Sequence, residues 1–100
     1  MALYMVVEHY THGPEPVYVR AAERGRMLPE GLTYKDSWVV AGSLDTCFQL
    51  METDDVALFD EWTDNWLDLV SFEIYPVVRS AEAAAKAGGK AGGEARPPAG

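Results

Sequence analysis

Hydrophobic and polar positions alternate along much of this chain. Leu3, Met5 and Val7 fall on one side of a period of two, and Tyr4, Val6 and Glu8 on the other, which predicts a strand over Leu3–His9. Thr11, His12, Gly13 and Pro14 break it. Pro16 suits a first helical turn, where a missing N–H does no harm. Tyr18, Ala21, Ala22, Gly25 and Leu28 then recur at helical spacing until Pro29 and Gly31 stop the helix. Leu32–Val40 and Leu44–Glu52 read as two strands of a hairpin, joined by a short turn at Ala41, Gly42 and Ser43. Thr53 or Asp54 can cap a second helix, whose apolar stripe is Leu58, Phe59, Trp62, Trp66 and Leu69. Val70–Val77 alternates again, and Pro76 fits an edge or a strand end.

The order is βαββαβ. Right-handed crossovers turn it into an α+β, ferredoxin-like sandwich: a four-stranded antiparallel sheet with two helices on one face. The alternation turns Leu3, Met5, Val7, Phe48, Leu50, Val70, Phe72 and Ile74 toward the helices, with Trp38 beside them. It leaves Tyr4, Val6, Glu8, Ser37, Val39, Cys47, Gln49, Met51, Ser71, Glu73 and Tyr75 on an open face. That face is half apolar and no element remains to cover it, so a second copy is the expected cover, giving a homodimer. A chamber with a few polar groups among apolar ones suits a small, partly apolar molecule.

Composition divides the chain. Its 100 residues allow one domain at most. From Ser80 to Gly100, 15 of 21 residues are Ala, Gly or Pro, and all 11 aromatics lie before Ser80. The expected division is a folded domain over 1–79 and a flexible tail over 80–100, helical at most to Ala87. With 16 acids against 8 bases the net charge is −8, which argues against nucleic acid and anionic membranes as partners. No apolar run approaches the ~20 residues of a membrane span. The N-terminus lacks a basic region before its apolar stretch and reads as a strand rather than a signal peptide. Cys47 is the only cysteine, so no intrachain disulfide is possible, and a lone thiol fits a reducing cytoplasm.

The candidate chemistry sits on the open face. Glu8 and Glu73 come from the first and fourth strands, which are neighbours in this fold. Two partly buried carboxylates close together push one pKa upward and supply a proton acceptor or donor near neutrality. Tyr4, Ser37, Gln49 and Tyr75 would position a ligand around them. The plainer alternative makes both carboxylates surface charges. Glu8-His9-Tyr10-Thr11-His12 has metal-ligating residue types, but Glu8 and His9 point opposite ways on a strand, and no metal site is expected. Cys47 reads as a small buried hydrophobe, and Phe59, Trp62 and Trp66 as core. Arg20, Arg24, Arg26 and Lys35 hold four of the five bases before Ser80. Pairing with the acidic second helix is their first reading, and docking of an anionic ligand the second. No P-loop, GxGxxG, CxxC or Ser/His/Asp order is present, and no cofactor is expected.

Three stretches also carry a resemblance. Glu23-Arg24-Gly25-Arg26-Met27-Leu28-Pro29-Glu30-Gly31-Leu32, Asp36-Ser37-Trp38-Val39, and Cys47-Phe48-Gln49-Leu50-Met51-Glu52-Thr53 resemble a group of small, mostly bacterial proteins, domain-of-unknown-function family 3303. Phe72-Glu73 and Pro76-Val77 fit its closing strand. The resemblance covers about residues 1–80 and implies a ferredoxin-like domain of the dimeric α+β barrel type, with no catalytic residues to carry over. Related barrels include cofactor-free monooxygenases, isomerases, haem enzymes and simple binders. A haem would need an axial histidine, and the alternation puts none clearly on the open face. Two functions remain in view: a cytoplasmic homodimer that binds a small molecule, with or without acid/base chemistry, and a non-catalytic dimerisation or interaction module.

Overall fold

The computed structural model describes residues 2–92. Strand β1 (Ala2–Tyr10) leads through Gly13 into helix α1 (Pro14–Arg24), and β2 (Thr33–Val39) and β3 (Thr46–Thr53) follow. Helix α2 (Ala57–Thr63), β4 (Val70–Val77) and α3 (Ser80–Gly92) complete the chain. The sheet order is β2-β3-β1-β4, antiparallel throughout. The ferredoxin-like order is therefore the one observed, with β1 and β4 as neighbours.

Element ends follow local chemistry. α1 stops at Gly25 (φ 70°), whose N–H bonds the Ala21 carbonyl at 2.7 Å, so the helix ends before the expected Leu28. The segment after it crosses the core as a loop, packing Met27 and Leu28 inward. Val56 sits at the start of α2, and Asp55 accepts from the Ala57 N–H at 3.0 Å. Neither expected cap, Thr53 or Asp54, takes the N-cap position, which falls to Val56 because the helix begins later; Asp55 supplies the acceptor near its start. Beyond Thr63 the chain continues in turns, in which Trp66 stays buried and Leu69 half-buried. Residues 80–88 are all exposed. The end of the expected flexible tail, residues 93–100, lies outside the described residues.

The two faces of the sheet are the main correction. Val6, Met51 and Thr53 are fully buried, and Glu8, Tyr10, Cys47 and Gln49 are at most 8% exposed. These residues, with Ser37 and Val39, lie under the helices rather than on the open face. Directly paired residues share a face, and Glu8 pairs with Phe72 and Cys47, Gln49 with Val6 and Ser37. The outer face carries Leu3, Met5, Val7, Phe48, Leu50 and Tyr75, and Trp38 is 51% exposed there instead of packed inward. On β4 the expected parity is observed, with Val70 and Phe72 inward and Ser71, Glu73 and Tyr75 outward.

The physical reason is that β1 and β3 are apolar on both faces, so period two gives the faces but not which one meets the helices. Aromatic packing decides. Tyr4 meets Phe59 at 5.1 Å between ring centroids and Tyr10 meets Tyr18 at 6.1 Å. A chain of rings runs on from Phe59 to Trp62 and from Trp62 to Phe72.

Candidate functional site

The inversion takes Glu8 away from Glu73 and puts it inside the molecule. A cavity of about 280 Å³ lies between the sheet and the two helices. Its floor is Glu8 and Tyr10 from β1, Cys47 and Gln49 from β3, Ser37 and Val39 from β2, and Val70 and Phe72 from β4. Val17, Tyr18 and Ala21 of α1 form one wall, and Trp62 and Trp66 the other. Gly25 and Arg26 close one side.

Glu8 is the carboxyl on this floor. Burial lifts its carboxyl from 4.5 to about 7, against hydrogen bonds from Tyr10 and Cys47 and the positive charge of Arg26, which favour the ionised form. The Tyr10 hydroxyl donates across a long 3.5 Å. Burial pushes the Cys47 thiol up to about 11, and the neighbouring Glu8 charge adds to this. The thiol is therefore no nucleophile at neutral pH. Burial also raises the Tyr10 phenol. Glu8 is the group poised to gain or lose a proton near neutrality, and it does so without a second carboxylate.

The polar atoms beside it are held in place. Gln49 Nε2 donates to Met51 Sδ at 3.2 Å, and Ser37 Oγ shares a 2.7 Å hydrogen bond with the Tyr34 hydroxyl. Trp62 and Trp66 both donate their indole N–H to the Arg26 carbonyl, at 3.0 and 3.2 Å. The wall facing the cavity is left apolar.

Of the expected site residues, the cavity gathers Glu8, Ser37 and Gln49. Tyr4 lies elsewhere, beside Phe59, Val56 and Ile74 in a shallow surface depression. Glu73 and Tyr75 stand on the outer face, where the Tyr75 hydroxyl donates to Glu73 Oε1 at 2.5 Å and His9 Nε2 lies 2.8 Å from Glu73 Oε2. These two contacts, Tyr75 first, hold the Glu73 carboxyl below its ordinary value. The Glu8–Glu73 pair is thus two separate sites on opposite faces, one carboxyl raised and the other lowered. His9 belongs to the outer face, where the alternation placed no histidine. Among the described residues no group of three His, Cys, Asp or Glu side chains is placed to hold a metal ion.

The basic cluster also divides. Arg20 grips Asp68 with two hydrogen bonds of 2.7 Å, and Lys35 lies 3.7 Å from Glu52. Arg26 makes no ion pair among the described residues, and its guanidinium lies 3.6 Å from the centre of the Tyr34 ring. Tyr10 is a cavity residue that pattern reasoning missed, because it falls just past the predicted strand end. Arg26 was named only as one of four clustered bases with anionic-ligand docking as their second reading, and was not placed with Glu8, Ser37 and Gln49.

A wider surface depression of about 580 Å³ lies by Leu3, Lys35, Glu52, Arg79 and Glu82. Two of its charges, Lys35 and Glu52, already pair with each other.

Comparison with known proteins gives one match. The model of a domain of unknown function, DUF3303, covers residues 2–91, reaching past the expected limit near residue 80. No curated protein and no solved structure matches.

Proposed function

The chain belongs to the DUF3303 family, a family that assigns no chemistry, and we propose from its own side chains that it binds a small, partly apolar molecule in the cavity above Glu8. The observation that carries this reading is a buried carboxyl, pushed up to about 7 by that burial, inside a 280 Å³ space walled by Val17, Ala21, Val39, Trp62, Trp66 and Phe72. A neutral Glu8 donates a hydrogen bond to a ligand carbonyl, and its anion accepts a proton from an acidic ligand. The first step is binding, and the second is acid/base chemistry without a cofactor. Ser37 and Gln49 orient the ligand from the sheet. Glu73, Tyr75 and Tyr4 have no part in it.

The same reading makes the protein a cytoplasmic homodimer. The outer face exposes Trp38, Phe48 and Tyr75 by 51%, 38% and 50%, with Leu3, Met5, Val7 and Leu50 between them. A row of this kind is apolar enough to favour a second sheet over water. The buried free thiol of Cys47 suits a reducing compartment. The acidic excess favours partners other than nucleic acid or an anionic membrane, and no described helix is long and apolar enough to cross a membrane.

A fragment screen by ligand-observed NMR, followed by chemical-shift mapping, tests the cavity. Small planar fragments are expected to shift the Ser37, Gln49 and Trp62 signals, and Glu8→Gln is expected to alter their affinity. If every fragment maps to the outer face or none binds, the second reading stands: a non-catalytic dimerisation or interaction module. The apolar outer face is the observation that favours that alternative.

A further inference from the structure

Four separate features of the fold converge on Arg26. Gly25 before it and Met27 after it both have positive φ, 70° and 61°, and the second is costly for a side chain of that size. The Arg26 carbonyl receives both cavity tryptophans. A bulge in β2 shifts the register between Tyr34 and Asp36. Without it, Tyr34 and Ser37, three residues apart, would face opposite ways. With it, both point inward, and the Tyr34 ring lies under the guanidinium while its hydroxyl is held by Ser37. The backbone, two indoles and an aromatic platform thus hold one cation at the cavity edge. None of the ion pairs among the described residues includes it, and its charge acts on the Glu8 carboxyl of the cavity floor.

We propose that Arg26 is the specificity-determining residue of this cavity and selects a small planar monoanion, a carboxylate carried on an aromatic or similarly flat apolar body. This rests on the cavity reading above and adds the charge of the ligand. The guanidinium offers a planar fork matched to a carboxylate. The walls accept a ring, and the cavity volume suits a body of about ten heavy atoms. The ligand's carboxylate lies at the Arg26 edge and its ring against the apolar wall of the cavity. An anion beside Glu8 disfavours the Glu8 anion, so binding takes up a proton. Around Glu8, β1 and β3 contribute Tyr10 and Cys47, both driven further from ionisation by burial. Tyr18 comes from α1 and Arg26 from the loop after it. The lining side chains of β2, β4 and α2 carry no charge.

Three isosteric probes test this on the full chain by NMR titration at pH 6.5: benzoate, benzyl alcohol and benzylamine. Benzoate is expected to bind at least about tenfold tighter than benzyl alcohol. Arg26→Gln leaves the backbone carbonyl in place and is expected to erase that preference, bringing benzoate affinity down to that of benzyl alcohol. Arg26→Lys is expected to restore part of it. Benzoate affinity is expected to fall as pH rises through 7 in the native protein and to stay level in Glu8→Gln. Tightest binding of benzylamine, or a benzoate preference that survives Arg26→Gln, overturns the proposal. Equal binding of benzoate and benzyl alcohol also overturns it and leaves the cavity reading standing. Binding by none of the three overturns both.

Discussion

Replacing Glu8 with Gln should stabilise this protein above neutral pH. Gln keeps the shape and hydrogen-bonding reach of Glu but cannot ionise. Burial lifts the Glu8 carboxyl from 4.5 to about 7 in the folded state, so its ionisation opposes folding. The sign follows from linkage: the unfolded chain releases this proton first, and acidification therefore favours the fold. The contribution is whole below about pH 4.5, shrinks as pH rises from there, and is gone above about 7. At about 1.4 kcal/mol per pH unit, the window from 4.5 to about 7 amounts to at most about 3.5 kcal/mol, a large part of the roughly 5–10 kcal/mol that holds a small domain. Urea unfolding followed by Trp62 and Trp66 fluorescence, at one protein concentration, measures it. Glu8→Gln is expected to be about 2–3 kcal/mol more stable than the native chain at pH 8, with most of the gap closed at pH 4.5. Taking the difference between the two proteins cancels distant groups such as Asp68. A gap that stays constant between those pH values, or a variant less stable at pH 8, would refute the reasoning. Retention of a carboxyl that costs stability at working pH fits a group kept for binding or proton transfer.

Asp68 is held at about 2 by the two Arg20 hydrogen bonds. Its contribution is therefore present above about pH 3.8 and lost toward pH 2, and Asp68→Asn should lower the melting temperature at pH 7 but not at pH 2. Gly31 has φ 98° and a Cβ there would meet Leu58 Cδ1 at 3.0 Å, so Gly31→Ala should cost about 1–3 kcal/mol in a urea melt. On the outer face, Val7→Arg should shift sedimentation from dimer to monomer at micromolar concentration without unfolding the chain. Val6→Arg, which buries a charge under the helices, should unfold it instead. A chain ending at Ala81 should melt within a few degrees of the full protein, because residues 80–88 are all exposed; a loss above about 2 kcal/mol would mean that α3 packs on the body.

The strands, helices and their order were legible because periods of two and 3.6 are strong where Leu3–His9, Val70–Val77 and the Phe59–Trp66 stripe lie. The loop at Gly25–Gly31 was legible only as a helix stop. The positive φ of Met27 has no composition signal, and neither does the β2 bulge that turns Tyr34 inward. Face assignment failed on β1 and β3 for a reason that matters to function. The core row there carries Glu8 and Gln49, while the solvent row carries Leu3, Met5, Val7 and Leu50. Counting apolar residues favours the wrong row whenever a cavity needs polar groups and an outer face needs apolar ones. One of Glu8 and Glu73 was expected to have a raised pKa through burial and mutual repulsion together; burial alone raises that of Glu8, and Glu73 stands on the other face. Arg26 was seen as one of four bases, and only the tertiary structure separates it from Arg20 and Lys35.

The central claim is that the cavity floor carries a carboxyl that exchanges its proton near neutrality. The most direct measurement is a carboxyl-carbon NMR titration of Glu8 in the full-length protein, with Glu73 as the internal comparison. The structure predicts a midpoint close to 7 for Glu8 and one below the ordinary 4.5 for Glu73. A Glu8 midpoint at or below 4.5 would contradict the account, because it would mean that the carboxyl is open to water or paired and that the cavity holds no neutral-pH acid.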